Sequence, residues 1–172
     1  MFPRAVLYPQ RSLIGVHRGY CPQYHLHVRF RFVLDTNVLV AAMRSNREAS
    51  RQLLLAALDQ GFDRLLSVPL MIECEAVLNR AGDLTPSGVT ESDIRDILDE
   101  LTRVCIPVRL AYLWWPRLRD ANDDMVLETA ANGNADAIVT FNLADFRGIK
   151  SLLRCNVIAP REALVQLTGG RK

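Results

Sequence analysis

No histidine occurs after position 27 in this chain of 172 residues. His17, His25 and His27 all stand in the opening segment, so histidine acid–base chemistry is excluded from the remainder unless that segment folds back over it. Cysteine is sparse as well: Cys21, Cys74, Cys105 and Cys155 are far apart and form no C-x-x-C pair. Scattered in apolar surroundings, they are expected to be small core residues of a reducing compartment, without disulfides. Cys21 with His25 and His27 lacks a fourth ligand at a known spacing and makes no zinc site. No apolar run approaches the roughly 20 residues that cross a bilayer, which argues for no membrane span and a cytoplasmic protein. Acid is absent from residues 1–27, which contain Arg4, Arg11 and Arg18. The net charge of +2 comes from that segment alone, because the rest holds 18 basic against 19 acidic residues. A domain at −1 cannot hold a nucleic acid by charge alone, so any such substrate must be bound by a few local arginines or through cations.

Residues 1–28 have no clear period and mix Pro, Gly, Tyr and His. They weakly resemble a transit peptide but are poor in serine; the plainer reading is a flexible extension, from translation assigned too far upstream. The domain is expected over 29–172, a length that suits one core. There, apolar strands alternate with helices. Strands are predicted at 31–35, 64–68, 104–108, 136–140 and 156–160. Helices are predicted over Val38–Met43, Glu48–Gln60 closed by Gly61, Pro69–Arg80, a segment capped by Thr90 or Ser92 and running to Arg103, Asp123–Asn132 closed by Gly133, and a last one opened by Pro160. This alternation argues for a mostly parallel sheet of about five strands covered on both faces, an α/β/α sandwich.

Carboxylates punctuate this pattern. Asp35 follows the first strand, and Asn142 and Asp145 follow the fourth, which places both clusters at one edge of a parallel sheet. A buried carboxylate is costly unless hydrogen-bonded, paired or metal-bound. Helix capping accounts for Asp35 and Asp123 taken singly. Glu73 and Glu75 flank the apolar stripe Leu70, Met71, Cys74, Val77 and Leu78 on opposite sides, so periodicity does not choose between them. Capping does not explain why acids should appear at four places that converge. Carboxylates sharing a cleft repel unless a hard cation neutralises them, and oxygen-only ligation selects Mg²⁺ or Mn²⁺.

"FVLDTNVLVAAMRS", "VPLMIECEAVLNR", "RDANDDMVLETAANGNADAIVTFNLADF" and "NVIAPREAL" together resemble the PIN domain, in its branch of toxin components of toxin–antitoxin systems. The resemblance runs from about Val28 to the C-terminus. It implies a Mg²⁺- or Mn²⁺-dependent endoribonuclease related to VapC-type toxins, with RNA as substrate, a small antitoxin as partner and a second copy of the chain as a candidate partner. Transferred residue by residue, it implies Asp35, Glu73 and Asp123 as catalytic acids, with Asp35 and Asp123 on the metal. Thr36, Asn37, Thr140 and Asp120 become supporting residues, with Asp124 ranked behind Asp123. Many members carry T-G-D after the fourth strand; this chain reads Thr140-Phe141-Asn142, and Asp145 is the nearest replacement acid for the metal.

Asn142 keeps a rival reading open, that of a catalytically weak PIN module binding RNA or a protein. An aspartyl-nucleophile phosphatase is discounted, since Asn37 occupies the place of its second aspartate. Arg44, Arg47 and Arg51 are candidate RNA contacts, although arginines on a helix face are more often solvated. Trp114 and Trp115 are read as packing residues before base-stacking ones.

Overall fold

The apolar run Phe32-Val33-Leu34 forms the centre of the molecule. In the computed structural model, which describes residues 29–45, 48–80, 90–111, 121–149 and 153–169, this run lies in strand β1 (Arg31–Leu34). All three side chains are buried. Successive strand residues point to opposite faces, so burial of consecutive residues requires cover on both. To one side of β1 lie β2 (Asp63–Leu66) and then β3 (Ile106–Pro107); to the other lie β4 (Ala137–Val139) and then β5 (Asn156–Ile158). Every pairing is parallel, in the order β3-β2-β1-β4-β5. The α/β architecture with a five-stranded parallel sheet is the one expected from the alternation of apolar runs.

The described helices are α1 (Thr36–Arg44), α2 (Ala49–Leu58), α3 (Val68–Arg80), α4 (Glu91–Val104), α5 (Ala121–Gly133) and α6 (Pro160–Gly169). α1 packs on α2 and α3, α2 on α6, and α5 on β1, β2, β4 and α3. Thr90, and not Ser92, caps α4, through a reciprocal pair of bonds with Asp93. β3 is shorter than the expected run 104–108: Val104 still belongs to α4, and Pro107, with no N–H to give, sits where a sheet tolerates it, on the edge strand.

The helix ends add a detail that the sequence did not specify. Gly61 and Gly133 close α2 and α5, but the left-handed residues are their neighbours, Gln60 (φ 53°) and Asn134 (φ 48°). The glycines are needed for space. A Cβ at Gly61 would lie 3.1 Å from the Ala56 carbonyl oxygen, which accepts the Gly61 N–H at 2.7 Å. One at Gly133 would lie 2.8 Å from Leu65 Cδ1 and 3.0 Å from Val108 Cγ2, so α5 could not approach the sheet as it does.

Arg64, on β2, is buried, and its Nε and Nη1 have no hydrogen-bond partner among the described residues. Burial pulls its pKa down, opposed by the neighbouring thiols of Cys74 and Cys105. A buried charge without a carboxylate is destabilising, and an apolar side chain of similar reach removes that cost. Arg64→Met is therefore expected to raise the melting temperature by a few degrees, on the order of 1 kcal/mol. A fall of similar size in a thermal melt would show that a partner offsets the burial.

Candidate active site at the switch between β1 and β4

The chain winds outward from β1 in one direction through β2 and β3, and in the other through β4 and β5. Where strand order reverses, the connections leave on opposite faces and open a crevice at the carboxyl ends of the two central strands. Asp35 is the first residue beyond β1 and Thr140 the first beyond β4. The backbone secures both: Asp35 N–H donates to the Val139 carbonyl and Thr140 N–H to the Ile158 carbonyl, each at 3.0 Å.

Asp35 is only 4% exposed, and its carboxylate is held at both oxygens. Oδ2 accepts from the Thr140 hydroxyl at 2.6 Å and from Asn37 Nδ2 at 2.7 Å. Oδ1 accepts from the Thr36 hydroxyl at 3.2 Å and the Asn37 N–H at 3.4 Å, the latter being the cap of α1. Because Thr140 gives its one proton to Asp35, its oxygen is left to accept, and it does so twice, from Asn37 Nδ2 at 3.1 Å and Asn142 N–H at 2.9 Å. Asn37 Oδ1 receives the Phe141 N–H at 3.4 Å. Among the described residues, every hydrogen-bond partner of the Asp35 carboxylate is neutral. Asp35 caps α1, and its two shortest bonds come from Thr140 across the crevice and from the Asn37 side chain on α1.

α3, packed on α1, turns Glu73 into a half-buried position with its side chain 14% exposed, 3.5 Å from the largely exposed guanidinium of Arg80. Glu75 is exposed, a difference that helical periodicity could not provide. Burial pushes the Cys74 thiol up to about 11; Arg64 beside it pulls it down, and the charges of Asp35 and Glu73 add to the rise, so both carboxylates lie within electrostatic reach of one sulfur.

α5 is positioned by a bond of 2.7 Å between the hydroxyls of Ser67, just beyond β2, and Thr129. Thr129 gives its proton to the Met125 carbonyl at 2.7 Å, so Ser67 is the donor between the two hydroxyls. This contact sets α5 at the carboxyl edge of the sheet, with Asp123 and Asp124 in its first turn, where a helix N-terminus favours carboxylates. Asp124 is the more buried of the two. After β4, the Asp145 N–H donates to the Asn142 carbonyl at 3.1 Å, forming the turn that sets positions 142 and 145 on one side; both residues are exposed.

Among the described residues, no three acidic, cysteine or histidine side chains approach closely enough to enclose a cation by themselves. The donor chemistry still suits Mg²⁺ or Mn²⁺, since the described groups at this edge are oxygen donors and Mg²⁺ is commonly held by one or two carboxylates, with water and substrate phosphate completing its shell.

Arg44, in the last turn of α1, is exposed and lines a cleft of about 490 Å³ that runs from Thr36 and Asn37 past Val40 to Glu48 and Val77. Arg51 is half-buried on α2. Arg47, Asp120, Trp114, Trp115, Cys21 and the opening segment through Val28 lie outside the described residues. Cys74, Cys105 and Cys155 are free thiols. Two features had no clear warning in the sequence: the burial of Arg64, and the direct tie between Asn37 and the backbone after β4.

The fold and the crevice define a doubly wound parallel α/β protein with an oxygen-donor site at its switch point. A model of the PIN domain matches residues 31–144, well over half of the chain, and the protein belongs to that family. A crystal structure of VapBC2 from Rickettsia felis, bound to a DNA fragment from their promoter, shares the fold with a TM-score of 0.51 and 16% identity, over 76% of this chain and 98% of that one. No curated protein matches significantly.

Proposed function

We propose that this protein is a divalent-metal-dependent endoribonuclease of the cytoplasm and the toxin of a toxin–antitoxin pair. The observation that carries this reading is Asp35: a buried carboxylate at the switch point, aimed by three neutral side chains and paired with no cation among the described residues. A structural carboxylate at that depth is ordinarily neutralised by Arg or Lys. One oriented only by neutral donors retains its charge for a ligand. Membership of the PIN family and the likeness to a VapBC2 structure support the toxin assignment.

In this reading Asp35 and Asp123 hold the ion, with Asp145 as the third acid; Glu73 is a further catalytic acid, and Asp120, outside the described residues, is a supporting one. A bound divalent ion supplies charge neutralisation for an in-line displacement at a phosphodiester. The chain's own contribution is orientation. Thr36, Asn37 and Thr140 fix the carboxylate plane, and Arg44 and Arg51, with Arg47 outside the described residues, are the candidate phosphate contacts. Purified protein is expected to cleave RNA with Mn²⁺ and to lose that activity with chelator. RNA binding without metal-dependent cleavage would favour the second reading, a binding module, for which Asn142 in place of an acid is the supporting observation.

Asn142 and Asp145 provide a finer test. Asparagine offers a carbonyl oxygen but no charge to offset a cation. Asp145→Ala is expected to weaken Mn²⁺ binding by roughly tenfold, and Asn142→Ala by much less. Titration calorimetry of both variants decides it. Unchanged affinity in Asp145→Ala would reduce the centre to Asp35, Glu73 and Asp123.

A further inference from the structure

Phe141 is 51% exposed and Leu143 is 43% exposed, immediately beyond the residue that anchors Asp35. Single exposed apolar residues are ordinary on protein surfaces. The backbone under this one is not. Phe141 N–H is bonded to Asn37 Oδ1 and Asn142 N–H to Thr140 Oγ1, and the same two side chains grip Asp35. These bonds tie the backbone at 141 and 142 to the side chains that hold Asp35, so the exposed Phe141 stands directly beside the crevice.

Charge sharpens the question of how a strand is held. From residue 28 onward there are 18 basic and 19 acidic residues, so a polyanion is not retained by net attraction. Stacking of bases on aromatic rings is the alternative source of affinity, and it is open only to bases not already enclosed in a duplex. We propose that Phe141 is a stacking platform for the base of a nucleotide adjoining the cleaved phosphodiester, and that this residue supplies part of the affinity for an unpaired strand. This inference rests on the ribonuclease reading above.

The test compares wild type, Phe141→Ala and Phe141→Trp on a short single-stranded RNA, and on the same RNA annealed to its complement, with Mn²⁺ throughout. Wild type cleaves the single strand in preference to the duplex. Phe141→Ala raises KM for the single strand roughly tenfold, leaves kcat within about twofold and leaves the melting temperature unchanged, and Phe141→Trp restores KM. A wild type that cleaves both forms equally, an unchanged KM in Phe141→Ala, or no restoration by Trp overturns the stacking role while the nuclease reading stands. Wild type that cleaves no RNA removes that reading and this inference together. Unchanged KM accompanied by loss of self-association in ultracentrifugation would reassign the patch to contact between copies.

Discussion

Asp35→Asn is expected to lower metal-dependent RNA cleavage by roughly a hundredfold or more while the protein stays folded, since even an outer partner of a metal ligand is commonly worth 10- to 100-fold. The survival of the fold follows from the hydrogen bonds. An asparagine carbonyl in the place of Oδ2 still accepts from Thr140 and Asn37, and its amide can donate to the Thr36 hydroxyl, which is free to turn round. The weak capping bond from Asn37 N–H at 3.4 Å is the main loss, and asparagine caps helices about as well as aspartate. What disappears is the negative charge. A variant that melts like wild type but does not cut assigns Asp35 to chemistry. One that cuts normally leaves it as a cap and removes the metal reading.

Thr140→Val should be nearly as damaging, by a different route. Valine fills the same space, but Asp35 Oδ2 loses its closest donor, and Asn37 Nδ2 and Asn142 N–H lose an acceptor. Stranded polar groups at a buried position cost about 1–3 kcal/mol each, less where water can reach them. A net loss of about 2 kcal/mol, or roughly 4–8 °C in melting temperature, is expected for a chain of this size. Activity should fall by roughly 10- to 100-fold, the usual cost of freeing a metal-binding carboxylate from its outer partners. Thr140→Ser, which keeps the hydroxyl, should recover most of both. Equal behaviour of the valine variant and wild type in melts and cleavage assays would mean that the carboxylate needs no such support.

Much of this arrangement was legible because apolar strands are short and conspicuous. "RFVLD" and "DAIVT" announce buried strands, and parallel alternation then obliges Asp35 and Thr140 to emerge at the same sheet edge. Periodicity alone did not choose between Glu73 and Glu75. α3 is touched by α1, α4 and α5, so its surroundings are set by which helices come to lie on each flank, and a periodic stripe has no knowledge of them. Gly61 and Gly133 were rightly read as helix ends, but the sequence could not say that their neighbours would take the left-handed turn while the glycines made room for Ala56, Leu65 and Val108. Arg64 was hidden for a related reason. A basic residue at the start of "RLLSV" looks like a strand's edge of solvent, and only the register beside Phe32 places it inside.

The bond from Thr140 to Asp35 joins positions 105 residues apart, which has a consequence in time. As the chain leaves the ribosome, Asp35, Thr36 and Asn37 appear early and the strand that completes their setting appears late, after α5 and its acids. Until β4 has been made and has paired beside β1, the carboxylate has only its local neighbours and the crevice has one wall. A nascent or prematurely ended chain that stops before β4 therefore carries the first aspartate without the assembled crevice, so whatever activity Asp35 supports is postponed until most of the polypeptide exists.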